Sequence, residues 1–268
     1  MLARIDTYRF AIYGLQYNRE NGLPFFRIGI KPMRNRRKNF RGVIYCAHGE
    51  SWATRAKASV ASLRRHHPDL PVTIFSEHDF SGVDVDVRPV PAGIQPRALK
   101  MHALLNSPYQ NTLYLDTDTH VCEDFTEVYD MLRSFDVSVC VSGQASPRAV
   151  RGVPACYPEM NGGVILYRNS GETRSLLEAF SRNYDQMNGE YGGFDEPALR
   201  LSLWQSDVHF APLPPEYNFR TDDVSVASGV VKIIHGKRLS ERLAYEVNAR
   251  PGYRIYIPGE GIRRFATT

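Results

Sequence analysis

The residues best placed to do chemistry are two carboxylates at the end of a short apolar run. Leu113-Tyr114-Leu115 stops at Asp116, and Asp118 follows two residues later, with Thr117 and Thr119 beside them. Residues two apart in extended chain face the same way, so at a strand end both carboxylates can converge on one ion. Mg²⁺ or Mn²⁺ would take them together with phosphate oxygens and water. Such an ion offsets the charge that develops on a leaving diphosphate. A plainer alternative is an Asx-type turn that caps the strand.

The elements around this pair must bring it to a binding edge. Val43 to Ala47 is a short apolar run ending in His48-Gly49-Glu50, and Trp52, Ala56, Val60 and Leu63 follow at helical spacing up to His67-Pro68. Pro71 to Ser76 reads as the next strand, which makes a right-handed βαβ unit. A short strand is expected near Val87 to Val90, a helix from Pro96 to Asn106, and then the strand that ends at Asp116. Phe125, Val128, Leu132 and Phe135 mark a helical face, and Val137 to Val141 a strand. Residues 142–160, rich in Gly, Pro, Ser and Arg, read as a long active-site loop. Further on, Asn161 to Arg168 is a strand, Leu176 to Met187 a helical stripe, and Asp195-Glu196-Pro197 the start of a helix reaching about Gln205. Short strands are expected at Val208 to Phe210, Val230 to Ile234 and Tyr253 to Ile257, with a rigid turn at Leu213 to Asn218. The expected class is α/β with a mixed, mostly parallel sheet, and open sheets of this kind bind ligands at the carboxyl ends of their strands.

The chain of 268 residues is 43% hydrophobic and 23% charged, with a net charge of +4. That suffices for one sizeable core. The mild positive balance does not make a nucleic-acid partner, and none is expected. Cys46, Cys122, Cys140 and Cys156 form no CxxC pair and are read as reduced core residues of a cytoplasmic protein. No apolar run approaches the length of a membrane span, and the charges among the first 30 residues do not fit a secretory leader. Two strands around Asn21-Gly22 are expected near the start. The basic residues of the 31–41 segment are read either as a solvated linker or as a contact for an anionic acceptor, a membrane surface or a partner. Three parts are expected: a basic extension over residues 1–41, a catalytic domain over 42–240 and a packed tail over 241–268.

Taken together, the span Val43 to Lys237 resembles a GT-A glycosyltransferase, and within that fold the glycogenin and bacterial lipopolysaccharide galactosyltransferase group, glycosyltransferase family 8. The likeness rests on landmarks in order. Lys100 sits in the helix Arg97-Ala98-Leu99-Lys100, 16 residues before Asp116. Then come Tyr114-Leu115-Asp116-Thr117-Asp118-Thr119, the strand opened by Asn161-Gly162-Gly163, Asp195-Glu196 where the family has Asp-Gln, the Leu213 to Asn218 turn, and His235 with Lys237. The family's closing motif is longer and ends in Pro-Trp; here His235-Gly236-Lys237 is compressed. Asp116-Thr117-Asp118-Thr119 also resembles the first motif of haloacid-dehalogenase-type phosphatases, with Asp116 as nucleophile. In that family, however, the motif opens the sheet, whereas here two strands and two helices precede it.

The first resemblance implies a GT-A (Rossmann-like) nucleotide-diphospho-sugar transferase fold. It implies an enzyme that moves a hexose from a UDP-linked sugar to a hydroxyl of a glycan or other acceptor, with retention of configuration. Asp116, Asp118 and His235 would bind the metal, and an imidazole ligand favours Mn²⁺ over Mg²⁺. Lys100, Arg97, Thr117 and Lys237 would contact the donor. Ala47, His48 and Trp52 would lie near the nucleoside, and Asn161, Gly162 and Asp195 would line the sugar pocket, with Asp195 and Asn161 closest to catalysis. The competing roles are ordinary: Asp195 as a helix N-cap, Trp52 as a core residue, His235 and Lys237 as loop residues, Lys100 and Arg97 as a solvated helix face. A binding protein that keeps the fold without the activity is the non-enzymatic alternative.

Overall fold

The computed structural model describes residues 11–17, 24–29, 40–143, 148–187, 189–250 and 252–265, the first two segments by their backbone and Arg97 without its side chain. Two units, Met1–Arg37 and Lys38–Thr268, divide the chain. In the first, β1 (Ala11–Tyr17) and β2 (Pro24–Gly29) pair antiparallel, as alternating sequence around a turn predicts. Asn21-Gly22 and the basic residues between 31 and 39 lie outside the described residues.

In the second unit the chain runs through β3 (Arg41–Ala47), α1 (Glu50–His66), β4 (Val72–Ser76), β5 (Asp86–Arg88), α2 (Pro96–Leu105), β6 (Asn111–Leu115) and β7 (Thr119–Val121). A 3-10 helix, Thr126–Arg133, precedes β8 (Val137–Val141), β9 (Met160–Arg168), α3 (Gly171–Met187), α4 (Glu196–Trp204) and β10 (Phe210–Leu213). Last come β11 (Phe219–Arg220), β12 (Ser225–Ala227), β13 (Ile233–His235), α5 (Glu241–Asn248), β14 (Arg254–Ile257) and β15 (Gly261–Arg264).

Seven strands form the central sheet in the order β10-β8-β9-β6-β3-β4-β5. Four of its six pairings are parallel, and β9 is the antiparallel member. β6 lies in the middle, which is why every residue from Asn111 to Leu115 is buried and why its sequence reads as a continuous apolar run. Side chains alternate between the two faces. Val43, Tyr45, Leu113, Leu115, Val164 and Leu166 pack under α1 and the 3-10 helix. Ile44, Tyr114, Ile165 and Tyr167 pack under α2, α3 and α4. A smaller core of Phe219, Val231, Ile234, Leu243, Val247 and Tyr256 supports the carboxyl-terminal strands.

Several expectations shift. The helical face at Phe125 to Phe135 is a 3-10 helix, although it still buries Val128 and Leu132. The strand expected at Val208 to Phe210 is Phe210–Leu213, because it takes its register from β8, Phe210 opposite Val137 and Leu213 opposite Cys140. Pro212 fits there because β10 is an edge strand and its missing N–H breaks no ladder. Cys156 is exposed rather than a core residue; all four cysteines are free. Among the described residues no helix is long and apolar enough to cross a membrane.

The loop read between Ser142 and Met160 is, where described, held from beneath by one buried side chain. Arg200 on α4 is 1% exposed. Its guanidinium donates to the carbonyls of Arg148 at 2.6 Å and Pro154 at 3.0 Å, and to those of Ala155 and Tyr157. A planar fork with five donors suits this multiple capping of loop carbonyls. Without the guanidinium, these part-buried carbonyls lose a charged donor, a hydrogen bond of about 1.5–3 kcal/mol for the strongest of them. Arg200→Met is therefore expected to lower the unfolding free energy by about 3 kcal/mol, measured by urea denaturation. A change within about 0.5 kcal/mol, the range of an ordinary surface substitution, would contradict this role.

Candidate active site

Because β6 ends at Leu115, the next residues leave the sheet at its carboxyl edge. The hydroxyl of Thr119 donates to the carbonyl of Asp116 at 2.8 Å and closes the turn. The turn thus does not depend on the Asp116 or Asp118 carboxylate. β7 then pairs antiparallel with β13, His235 opposite Thr119, and the N–H of Gly236 donates to the Asp118 carbonyl at 2.9 Å. This ladder carries His235 back to Asp118 from the far end of the chain.

Three possible ligand atoms, from Asp116, Asp118 and His235, lie within 4.8 Å of one another. Nε2 of His235 is 3.4 Å from Asp118 Oδ1 and 3.6 Å from Asp116 Oδ2. Those separations are too long for strong hydrogen bonds. Neighbouring ligands of an octahedral ion with bonds near 2.1 Å sit roughly 3 Å apart, so a small inward movement completes a site. Two carboxylates and an imidazole form a donor set that fits Mn²⁺ well.

The other oxygen of Asp116 is engaged elsewhere. Tyr114 Oη donates to Oδ1 at 2.6 Å, and Lys100 Nζ lies 3.5 Å from it. This orients the carboxylate so that Oδ2 faces His235. Lys100, almost fully buried, also pairs with Asp195 Oδ2 at 2.6 Å and lies 5.0 Å from the Tyr114 ring centroid. Burial alone would lower the Lys100 pKa, but Asp116 and Asp195 outweigh it and raise it. Lys100 is therefore not on a solvated face. Asp195 makes no cap hydrogen bond with its side chain, although it precedes α4; its carboxylate is directed to Lys100.

Glycines make room for this packing. A Cβ on Gly162 would lie 2.9 Å from Lys100 Nζ and 3.2 Å from Asp195 Oδ2, and one on Gly163 would overlap the His235 ring. The carbonyl of Gly163 accepts from the N–H of Asp116 at 2.8 Å, so β9 and β6 share this corner. Asn161 is buried; its Oδ1 accepts from Gly163 N–H at 3.0 Å and its Nδ2 donates to Glu196 Oε1 at 3.3 Å. Burial, and then the Asp195 charge, raise the pKa of Glu196. Arg148 offsets this in part, 3.9 Å from Glu196 Oε2 and 2.8 Å from Glu159 Oε1. For Asp118, burial disfavours the carboxylate, but the His235 ring and the Arg220 guanidinium prevail and lower its pKa.

The remaining expected site residues lie apart from this cluster in their contacts. Ala47 is fully buried, and its carbonyl accepts from Ser76 Oγ at 2.8 Å. His48 Nδ1 is 2.8 Å from Glu77 Oε1, which also accepts from Gly49 N–H at 2.7 Å. Trp52 is 42% exposed with the Arg55 guanidinium 4.9 Å from its ring centroid, so it is not a core residue. β3 runs parallel to β6, which puts His48 and Asp116 at the same sheet edge. Thr117 is buried, whereas Lys237 is exposed with its N–H on Asp222. The side chain of Arg97 lies outside the described residues. Sequence reasoning gave no role to Tyr114, Arg148, Gly163, Asn218 or Arg220. A tyrosine two residues before the carboxylate, on the same side of the strand end, was the one usable signal.

No family model matches the chain, and no curated protein does. Solved structures do. Glycosyltransferase GlyE of Streptococcus pneumoniae TIGR4 superposes with a TM-score of 0.56 at 15% identity, covering 78% of this chain and 61% of that one. Its apo form gives 0.55 at 16%, covering 79% and 60%. Galactosyltransferase LgtC, in complex with donor and acceptor sugar analogues, gives 0.53 at 12%, covering 78% of this chain and 95% of that one. The chain thus spans about three fifths of the length of GlyE. These likenesses show the fold: a GT-A α/β architecture with a mixed, mostly parallel seven-stranded sheet.

The close approach of His235 to Gly163 predicts a sharp mutational effect. Gly163→Ala is expected to destabilise the protein by about 1–3 kcal/mol, the usual range for overpacking a filled site, by displacing the His235 ring. Denaturant melts check it; an unchanged midpoint would contradict the packing described.

Proposed function

We propose that this chain is a metal-dependent glycosyltransferase that moves a sugar from a nucleoside-diphosphate donor, UDP-linked, to a hydroxyl of a glycan or other acceptor, with retention of configuration. The observation that carries the reading is the convergence of Asp116, Asp118 and His235 at the carboxyl edge of a GT-A sheet, beside the buried Lys100–Asp195 pair. That edge is where open α/β sheets bind ligands. When bound there, Mn²⁺ or Mg²⁺ supplies Lewis-acid stabilisation of the diphosphate leaving group.

The chain's own residues divide the remaining work. Lys100 places a fixed positive charge against the donor, and its two carboxylate partners keep it ionised despite burial. Gly162 has no Cβ to meet Lys100 Nζ and Asp195 Oδ2, so that ion pair packs against the β9 backbone and can form the floor of the sugar site. Asp195 holds a donor-sugar hydroxyl near the anomeric carbon, with Asn161 behind it. Thr117, Arg97 and Lys237 contact the donor phosphates and sugar, while Ala47, His48 and Trp52 border the nucleoside. The acceptor hydroxyl attacks on the face the diphosphate leaves, which retains configuration. Residues 42–240 form the catalytic part, with residues 1–41 as an extension and 241–268 as a packed tail.

A metal-clamped diphosphate makes binding of the nucleotide conditional on the ion. UDP at about a hundred times its Kd should stabilise the wild-type protein by about 2.7 kcal/mol when millimolar Mn²⁺ is present and far less in EDTA. Asp118→Ala should abolish the difference. Thermal shift measures all three states; no UDP effect with Mn²⁺ would overturn the donor assignment.

A further inference from the structure

We infer that Asn218 is a positioning residue that fixes the tautomer of His235, so that the Nε2 lone pair is the one presented toward Asp116 and Asp118. This rests in part on the metal reading above. One group here has an unambiguous role, the backbone N–H of Gly163. It can only donate, and it lies 3.0 Å from one amide atom of the Asn161 side chain. That atom is therefore the oxygen, and the amide of Asn161 has a single orientation.

The consequence propagates along a buried chain. Asn161 Oδ1 also meets the Asn218 amide at 2.9 Å, so the Asn218 atom facing it is the Nδ2 donor. The opposite atom of Asn218 is then Oδ1, 2.9 Å from His235 Nδ1. An oxygen that only accepts requires a proton on Nδ1. With Nδ1 protonated, a neutral imidazole keeps its lone pair on Nε2, which faces Asp118 at 3.4 Å and Asp116 at 3.6 Å. At the other end, Asn161 Nδ2 donates to Glu196 Oε1 at 3.3 Å. His235, Asn218 and Asn161 are each at most 4% exposed, so solvent does not compete for these bonds.

Arg220 does not disturb the assignment. One guanidinium nitrogen lies 3.0 Å from Nδ1 and 3.3 Å from Nε2. An atom at these distances from both ring nitrogens would overlap Cε1 if it lay in the ring plane, so the guanidinium sits over the ring face and out of line with both lone pairs. Asp223 holds the guanidinium there at 3.2 Å. The ring is thus gripped by Asn218 on one edge, Arg220 on one face and the backbone of Gly163 nearby. Such an outer partner sets which nitrogen a histidine offers, and its loss typically weakens metal binding about 10–100-fold.

The tautomer can be read directly. In ¹⁵N-labelled protein without metal, at about pH 9 where an ordinary imidazole is neutral, the His235 ring should show its protonated nitrogen at Nδ1. Asn218→Leu should mix the tautomers and weaken Mn²⁺ binding at least tenfold. Asn218→Asp, which still accepts from Nδ1, should keep the wild-type tautomer. A wild-type ring protonated at Nε2 would overturn the assignment without recourse to any variant. So would an Asn218→Leu protein that keeps both the Nδ1–H tautomer and wild-type Mn²⁺ affinity. A wild-type ring protonated at Nδ1 in a protein that binds no Mn²⁺ would support the tautomer and overturn the metal reading alone.

Discussion

Negative charge crowded at one sheet edge is the constraint around which this site is built. Asp116, Asp118, Asp195 and Glu196 approach the same corner, where β6, β9 and α4 end or begin. In a partly buried setting, unpaired carboxylates so close together raise one another's pKa and oppose folding. Each has its own answer. Lys100 lies between Asp116 and Asp195, and Arg220 and His235 face Asp118. Arg148 and Asn161 face Glu196, whose pKa nonetheless stays raised. The compensation is local and specific, and it leaves Asp116 Oδ2 and Asp118 Oδ1 both turned toward Nε2 of His235. A divalent cation satisfies three such atoms at once.

The fold serves this arrangement by bringing distant segments to one place. Asp116 leaves a central strand, Lys100 comes from the preceding helix, and Asp195 immediately precedes α4. His235 arrives through the β7–β13 ladder. Glycines at 162 and 163 let these side chains approach the β9 backbone more closely than a Cβ would allow. Arg200, one turn further along α4, donates to the carbonyls of Arg148, Pro154, Ala155 and Tyr157 and so holds Arg148 near Glu196.

Much of this was legible in the sequence because central strands and long helices carry strong patterns. The run Leu113 to Leu115 announced a buried strand, and the helical spacing of Ala56, Val60 and Leu63 announced α1. Lys100 and His235 were legible only through their order in a familiar set of landmarks. The short strands β7, β11 and β12, and the elements α5 and β15, escaped, because two to eight residues show too little periodicity. Asn218, Arg148 and Arg200 escaped for a different reason. Their roles are set by partners 17 to 57 positions away, as in the Asn218–His235, Asn218–Asn161 and Arg200–Arg148 bonds, and no local pattern encodes such contacts. The phosphatase reading is not favoured: β6 sits mid-sheet after three strands and two helices of the same unit, and Asp116 Oδ1 is held by Tyr114 and Lys100.

In the function proposed for this chain, Asp116, Asp118 and His235 form one side of a diphosphate-binding metal site. Anomalous scattering at the manganese edge, from crystals grown with Mn²⁺ and UDP, tests it most directly. A single strong peak is expected at about 2.2 Å, an ordinary metal–ligand distance, from a carboxylate oxygen of each aspartate and from Nε2 of His235, with diphosphate oxygens completing the shell. UDP bound with no peak there, or a peak that leaves these three residues uncoordinated, would contradict it.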